Sequence, residues 1–346
     1  RTLIPHVSPA CREALIFAVL RQAMRDHHTG VKAAAVRALG VLVPLLPSRR
    51  ALEHVKAVTW SAIEAENSHV SSRGVSELMP AVLRWCASLS ASDGDQATGA
   101  DQAGPGNAQI LLEMGDDILL RSMNATEAYE AKLRHIFELD QEGAAIGTEH
   151  TSELAHQLHV RESYLLALVL VLDSLTAEIR AAATKGGEEP VASLNAILSG
   201  EPTSGLDASM PPRGASPITP LRWLCRRAIP YVVALAERVG LDDELAKSAY
   251  AAPGTHMERS LEGTPKLSPG LEAICAATKM TAQRLGAAFT ALILVPLLLR
   301  SAQALLPTAS DGDASGGQAE AQGGSSSDRF FAESWLQVLE DLQSTP

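Results

Sequence analysis

An apolar helical pattern that occurs twice, 39 residues apart, constrains the fold more than any other feature of this sequence. The first copy lies in DHHTGVKAAAVRALGVLVPLL, residues 26–46, and the second in NSHVSSRGVSELMPAVLRWC, residues 67–86. Four apolar positions of the first copy have a counterpart in the second: Val31 and Val70, Ala35 and Gly74, Val36 and Val75, Leu39 and Leu78. Helical pairs that repeat at about this length bury their apolar faces by stacking on one another. The repeat therefore predicts an α-solenoid.

Each copy follows another segment with helical periodicity, over residues 10–25 and 48–66. The helix of the first copy has a wide apolar stripe formed by Val31, Ala34, Ala35, Ala38, Leu39, Leu42 and Leu46. Because several of these side chains are small, a neighbouring helix can approach closely. Residues 1–88 are therefore predicted to form two helical hairpins.

The composition favours helices in the rest of the chain as well. Hydrophobic residues make up 46% of the sequence and aromatic residues only 4%. Ala and Leu, which dominate, are good helix formers, whereas strands are enriched in β-branched and aromatic residues. We expect the fold class to be all-α.

The charge and the apolar runs narrow the classes of partner. The net charge of −11 disfavours nucleic acid, whose binding depends on Lys and Arg neutralising phosphates. Two apolar runs, residues 164–175 and 285–299, fall short of the roughly 20 apolar residues that span a bilayer. We expect both runs to be buried helices, and we expect no transmembrane segment.

The four cysteines lack CxxC spacing, which favours buried thiols in a reduced, cytoplasmic compartment.

Polar segments divide the remaining helices. Residues 89–107 are predicted to be a flexible insertion, because they are rich in Gly, Ser and Asp and poor in apolar residues. The helical array is expected to continue over residues 108–306, with helices at roughly 108–123, 125–142 and 151–184 and disordered loops at 199–217 and 250–270. Residues 307–327 are predicted to be a disordered linker.

An amphipathic helix is predicted at the end of the sequence, residues 328–346. Its apolar residues are Phe330, Phe331, Trp335, Leu336, Leu339 and Leu342. Such a face after a long linker either docks back on the array as a cap or binds a groove of another protein. We favour docking within the same chain.

The search for catalytic chemistry gives one weak candidate. His156 and His159 lie one helical turn apart in EHTSELAHQLH, near His150 and Glu153, and helical metal sites use such spacing. The motif is not HExxH and no cysteine lies near, so exposed histidines are the favoured interpretation. Four other features are interpreted as structural rather than catalytic. His27–His28 is an exposed turn pair, GTPK at 263–266 lies in a loop, and Asp116–Asp117 and 242–244 are acidic groups near helix starts. Trp223 is expected in the core, with Arg226 and Arg227 reaching solvent. We predict no catalytic, cofactor-binding or metal-binding residue.

The first copy resembles the second helix of HEAT repeats. The resemblance rests on Asp26, the Val31–Lys32 pair and the following segment AAAVRALG. In that family the Asp and the basic residue form a ladder of polar contacts between repeats. Ala65 and Ser71 stand at the corresponding positions of the second copy, so the resemblance implies degenerate HEAT-like hairpins of an ARM/HEAT superhelix without a regular ladder.

Residues 1–88 also resemble the HEAT region of the RELCH family, whose members combine a LisH motif, a coiled coil and HEAT repeats. The resemblance is carried by PHVSPACREALIFAVLRQAM together with DHHTGVKAAAVRALGVLVPLLP and SRGVSELMPAVLRWC. It implies a non-enzymatic trafficking scaffold that a Rab GTPase recruits to recycling endosomes and the trans-Golgi network. It also implies peripheral membrane association through partners, a sterol-transfer protein among them, and a role in cholesterol distribution. It transfers no partner-binding residue to this chain.

Two alternatives remain open at this point. The first is another HEAT scaffold, such as a phosphatase regulatory subunit or a transport adaptor. The second belongs to a different class, a helical metal-dependent enzyme that uses His156 and His159. Metal analysis separates the second alternative from both scaffolds, and the identity of the bound protein separates the two scaffolds.

Overall fold

The computed structural model describes residues 7–8, 11–46, 51–92, 106–142, 147–186, 220–250 and 269–305. Every regular element in these ranges is helical, which confirms the all-α prediction. The chain divides into two compact units, one formed by Arg1–Ala182 with Thr203–Pro220 and the other by Ala183–Pro202 with Leu221–Pro346. The predicted loop at 199–217, the linker at 307–327 and the C-terminal helix at 328–346 lie outside the described residues.

The helices of the first unit follow one another as hairpins. They are α1 (Phe17–Ala23), α2 (Thr29–Leu42), α3 (Leu52–Ile63), α4 (Ser68–Arg73), α5 (Met79–Ser92), α6 (Gly106–Gln141) and α7 (Thr148–Gly186), of which α7 ends beyond the unit boundary. A π-helical segment, Arg12–Ile16, leads into α1, and a 3-10 turn, Val43–Leu45, extends α2. The π-helical segment Gly74–Leu78 joins α4 to α5. Helix α5 reaches Ser92 and α6 begins at Gly106, so both ends of the predicted insertion at 89–107 belong to helices.

The two copies of the repeated pattern begin with the same kind of turn. The Asp26 carboxylate accepts a hydrogen bond from the backbone N–H of His28 at 2.8 Å, just before α2. At the start of α4, the Asn67 side chain accepts from the N–H groups of His69 and Val70 at 3.1 and 3.3 Å. Asn67 thereby caps α4, since it bonds N–H groups that have no partner within the helix, whereas Asp26 stabilises the turn before His28, the residue that precedes α2.

The repeated helices pack on one another. Helix α2 contacts α1 on one side and α4, the π segment and α5 on the other, and α3 contacts α4. The buried side chains of α2 are Ala33, Ala35, Val36, Leu39 and Leu42, followed by Val43 and Leu46. The predicted stripe is therefore wrong at three positions, because Val31 and Ala34 are exposed and Ala38 is half-buried. The buried face includes Ala33 and Val36 since α2 lies between two neighbours.

Close backbone approach fixes the crossing of α2 with the second hairpin. A Cβ atom on Gly40 would lie 3.2 Å from the carbonyl oxygen of Glu77. Trp85 Nε1 donates to the carbonyl oxygen of Leu46 at 2.8 Å, and Arg37 forms an ion pair with Glu77 at 3.4 Å. The second hairpin has its own close contact, because a Cβ atom on Gly74 would lie 3.1 Å from Ala62.

A third hairpin consists of α6 and α7. Lys132 contacts Glu153, His135 packs on His150, and Arg161 lies over the Tyr129 ring at 4.3 Å. Because the residue numbers rise on α6 as they fall on α7, the helices are antiparallel. The two helices predicted at 108–123 and 125–142 are wrong in one respect, since α6 is continuous through Asn124. The hydroxyl of Thr126 bonds to the carbonyl of Ser122 one turn earlier, which keeps this polar segment helical.

The second unit contains α8 (Pro220–Trp223), α9 (Ile229–Tyr250), α10 (Pro269–Phe289) and α11 (Val295–Leu305). The π-helical segment Leu224–Ala228 joins α8 to α9, and Thr290–Leu294 joins α10 to α11. Helix α9 packs on α10 and α11. Since α9 includes Tyr250 and α10 begins at Pro269, only the ends of the loop predicted at 250–270 are described, and they are helical.

Gly286 interrupts the helical backbone of α10 with φ 84° and ψ −177°. The surrounding segment Gly270–Ala302 is, by length and a mean hydropathy of 1.9, the candidate membrane span among the described residues. Core helices of soluble proteins pass the same test. Within it Ile293, Leu294 and Leu298 are buried, but Leu292 and Leu299 are each 41% exposed. The predicted buried helix is thus buried on one side.

Candidate functional site

Two grooves border the turns of the hairpins in the first unit. The first, which we call the hairpin groove, has a volume of about 710 Å³ and is bounded by the turn after α1, the helix α3, the turn before α4 and one residue of α6. Its lining includes Met24, His27, Lys32, Trp60, Glu64, Asn67 and Arg121. Both polar and aromatic side chains face this groove, as is common in sites that bind peptides.

A network of side chains closes the floor of the hairpin groove. Arg121 Nη1 donates to Glu64 Oε1 at 2.7 Å, and the Tyr164 hydroxyl donates to the same oxygen at 2.5 Å. The Arg121 guanidinium also lies 5.0 Å from the centre of the Trp60 ring. Burial, followed by the hydrogen bond to Glu64, raises the pKa of Tyr164. The phenol therefore stays protonated at neutral pH and holds α7 against the end of α3.

Helices α3 and α6 are joined by a second polar contact, one turn earlier on α6 and about two turns earlier on α3. Lys56 Nζ lies 2.8 Å from Asp117 Oδ2, and its side chain is only 10% exposed. Asp116 and Asp117 were predicted to stand near a helix start, but α6 begins at Gly106, so that prediction is wrong. The ion pair between Lys56 and Asp117 joins the two helices. It also gives the mostly buried Lys56 the opposite charge that a buried ion requires.

The second groove, which we call the histidine groove, contains both histidines of the metal hypothesis. It has a volume of about 830 Å³ between the start of α4 and the first turns of α7. His156 Nδ1 and His159 Nε2 are buried atoms without a hydrogen-bond partner. Burial, and then the neighbouring His156, lowers the pKa of His159. The His159 imidazole is therefore favoured in its neutral form, and both histidines line the groove.

The other two members of the predicted cluster are engaged on α6. His150 Nδ1 lies 3.3 Å from Lys132 Nζ and its ring packs edge-on against His135. The Glu153 carboxylate accepts from Lys132, and this hydrogen bond lowers the pKa of Glu153. Among the residues that the structure describes, no group of three or more His, Cys, Asp or Glu is placed to hold a metal ion.

Of the remaining sequence candidates, His27 lines the hairpin groove and His28 precedes α2. Trp223 is buried at 3% exposure, the acidic group at 242–244 lies inside α9 rather than at its start, and GTPK falls outside the described part of the chain. All four cysteines are free. Burial raises the pKa of Cys86 and Cys225 to about 12 and that of Cys275 to about 11, so these thiols are poor nucleophiles at neutral pH.

Sequence reasoning missed the residues that build the hairpin groove. Trp60, Glu64, Arg121 and Tyr164 belong to no motif identified in the sequence. Glu64 and Tyr164 are 100 positions apart in the chain. No local pattern connects residues at that separation, and only the packing of α3, α6 and α7 brings them together.

The described fold defines an all-α protein whose hairpins present open grooves. Comparison of the chain with protein-family models, with curated proteins and with solved structures gave no match. A function for the chain therefore has to be argued from its own packing and surfaces.

Proposed function

We propose that the first unit is an array of HEAT-like hairpins that acts as a non-enzymatic scaffold for protein partners. The observation that carries this proposal is the order of contacts between successive hairpins. The second helices contact one another through Arg37 and Glu77 and then through Ser71 and Ser163, whose hydroxyl oxygens are 3.0 Å apart. Solenoids stack in this manner, each repeat on its neighbours.

The first helices of the second and third hairpins also contact each other. Lys56 and Glu64 on one side of α3 meet Asp117 and Arg121 of α6, so the first helix of the third hairpin lies on the first helix of the second. An array built this way presents a row of second helices as a continuous surface. Extended surfaces of this kind are what repeat proteins use for binding.

The particular partner is proposed from the resemblance to the RELCH family. In this proposal a Rab GTPase of recycling endosomes recruits the cytoplasmic scaffold, which works with a sterol-transfer protein in cholesterol distribution to the trans-Golgi network. The scaffold contributes geometry rather than catalysis, because it holds two partners at a fixed distance. Other HEAT scaffolds, including phosphatase regulatory subunits and transport adaptors, remain the alternative outcome.

The experiment is a pull-down of the chain on immobilised Rab loaded with GTP or GDP. We expect retention on the GTP-loaded form only. Val31→Glu with Ala34→Glu changes two exposed side chains on α2 and is expected to abolish retention, since it adds charge to the surface of second helices. Val19→Glu with Leu120→Glu is the matched control, because these residues are 59% and 52% exposed on first helices.

Three outcomes are informative. Retention that depends on GTP and on the α2 face supports the proposal. Equal loss with the control pair would place the interface elsewhere and overturn the role of the second helices. Failure of the unaltered chain to bind, with retention on a phosphatase catalytic subunit or a transport receptor instead, would reject the Rab proposal and favour the alternative scaffold.

A further inference from the structure

An apolar stripe lies on the exposed side of the last described helices in the second unit. It consists of Ala288, Ala291, Leu292, Val295, Pro296 and Leu299, at successive spacings that keep one helical face. Only 33% of the most apolar window in Gly270–Ala302 is buried. Because contiguous apolar surface is unfavourable in water, such a face marks an interaction site.

A basic residue borders the stripe, because the exposed Arg300 follows Leu299 directly in α11. The sequence has no Asp or Glu between Glu272 and the end of α11 at Leu305. An occupant that combines an apolar side with negative charge therefore suits this face.

The C-terminal segment of the same chain, residues 328–346, has this combination. Its six large apolar residues, Phe330, Phe331, Trp335, Leu336, Leu339 and Leu342, would span slightly more than three helical turns, about the length of the stripe. Its acidic residues are Asp328, Glu333, Glu340 and Asp341, against a single Arg329. Apolar and electrostatic complementarity thus both favour this segment as the occupant.

The stretch of chain between α11 and residues 328–346 is long enough to allow docking. Residues 306–327 follow α11 directly and are rich in Gly and Ser. A flexible linker of that length has a mean end-to-end distance of about 25 Å, which exceeds the roughly 17 Å length of the stripe. A tethered segment also reaches an effective concentration in the millimolar range, so even a weak contact within the chain is populated.

We propose that residues 328–346 dock on the apolar stripe of the same chain. Trp335 and its apolar neighbours cover Leu292 and Leu299, and acidic side chains of the segment lie near Arg300. A second copy is a poorer occupant, because pairing two stripes brings Arg residues together. An anionic membrane is poorer as well, since the net charge of −11 repels it.

The test is hydrogen exchange on the full chain, measured for the segments 288–302 and 328–346. Trp335→Ala with Leu339→Ala is expected to speed exchange in 288–302 about tenfold, because the stripe loses its cover. Leu292→Glu with Leu299→Glu is expected to speed exchange in 328–346 by a similar factor. Leu120→Glu with Leu166→Glu changes two exposed leucines of the first unit and is expected to affect neither segment.

Reciprocal loss of protection establishes docking in the same chain, provided that the mass in solution stays that of one chain. Protection that rises with protein concentration together with a dimer mass would assign the stripe to a second copy. Protection of 288–302 that appears only with phosphatidylserine vesicles would assign it to a membrane. Unchanged exchange of 288–302 in the Trp335→Ala/Leu339→Ala chain would overturn the proposal.

Discussion

At the scale of single residues, glycines determine how closely the hairpins approach. Gly74 is buried in the π-helical segment between α4 and α5, and a Cβ atom there would lie 3.1 Å from the carbonyl carbon of Ala62 and 3.2 Å from the backbone nitrogen of Ile63. Backbone atoms of a packed helix cannot move aside as a flexible side chain can. The position therefore requires a residue without a side chain.

We predict that Gly74→Ala lowers the free energy of unfolding by up to about 2 kcal/mol. Overpacking costs about 1–3 kcal/mol, and the better helix propensity of Ala offsets about 1 kcal/mol of that. Chemical denaturation followed by circular dichroism measures the change. Gly30→Ala is the control, since a Cβ atom at Gly30 meets nothing within 4 Å. Equal effects at both positions would show that close approach does not matter.

His159 gives the first unit a predicted pH dependence. Burial lowers the pKa of His159 in the folded chain, so the unfolded chain binds the proton more tightly. This contribution to stability is complete above the unfolded pKa of about 6.5 and is lost as the pH falls through the lower, folded pKa. We predict that His159→Gln removes this part of the acid sensitivity.

The measurement is the free energy of unfolding of both proteins between pH 8 and pH 5, values that bracket the ordinary histidine pKa of about 6.5. The difference between variant and unaltered chain is expected to shift in favour of His159→Gln as the pH falls. His27→Gln, at an exposed position, serves as the control. A difference that stays constant with pH would contradict the assignment of the lowered pKa to His159.

Local periodicity predicted most of the buried residues of α2 but could not fix the limits of its buried face. Leu39 and Leu42 are completely buried as predicted, whereas Val31 is 40% exposed and Ala33 is 5% exposed. A single apolar stripe describes burial against one neighbouring helix. Because α2 packs between two neighbours, the stripe omits the residues that face the second one. The limits of a buried face therefore depend on the packing partners rather than on the helix itself.

At the scale of elements, three π-helical segments in the described part of the chain are each followed by one residue and then a proline. The segments Gly74–Leu78, Leu224–Ala228 and Thr290–Leu294 are followed by Met79–Pro80, Ile229–Pro230 and Val295–Pro296. Proline has no N–H to donate and its ring clashes with the carbonyl one turn earlier. Widening the preceding turn to π geometry relieves that clash without ending the helix.

Gly286 sets the bend of α10, and we predict that Gly286→Ala destabilises the second unit by about 1–3 kcal/mol. The cause is conformational, because φ 84° with ψ −177° is a region that only glycine occupies readily. Crowding is not involved, since a Cβ atom there meets nothing within 4 Å. The thermal midpoint of the variant measures the effect. A thermal midpoint of Gly286→Ala no lower than that of Gly30→Ala would contradict the bend at Gly286.

The third hairpin packs on the second copy of the repeat at Ser71, and a substitution at Ser71 tests this contact. Its hydroxyl is buried, donates to the carbonyl oxygen of Ile63 at 2.6 Å and lies 3.0 Å from the Ser163 hydroxyl of α7. We predict that Ser71→Lys lowers the free energy of unfolding by on the order of 3 kcal/mol or more, because a charge would enter a closed contact between α4 and α7.

The matched substitution is Lys32→Ser at the corresponding position of the first copy. Lys32 is partly exposed, and we expect its replacement to change stability by less than about 0.5 kcal/mol. Chemical denaturation measures both variants. Equal, small changes would mean that α7 does not cover α4.

At the scale of the whole molecule, the proposal of a scaffold predicts that the purified chain carries no stoichiometric transition metal. His156 and His159 supply two nitrogen ligands, and the described residues place no third ligand beside them. Structural and catalytic zinc sites require three or four protein ligands. Elemental analysis after dialysis measures the content. One zinc per chain that disappears in His156→Ala would reject the scaffold in favour of the metal-dependent enzyme.

The sequence by itself determined the helical class, the repeat of 39 residues and the positions of most helices in the described chain. These follow from local properties, namely helix propensity, the spacing of apolar residues and the turn residues Asp26 and Asn67. The continuity of α6 was missed, because Asn124 is a weak helix former whose cost the packing of a long hairpin offsets.

Only the tertiary structure decided which residues form the two grooves and which apolar faces stay uncovered. Glu64, Arg121 and Tyr164 meet because three helices converge, and Leu292 is exposed while Ile293 is buried because α9 covers one side of its helix. The physical reason is that burial and pairing are properties of contacts between distant segments. A local pattern shows that a face is apolar, but the surface that covers it comes from elsewhere in the chain.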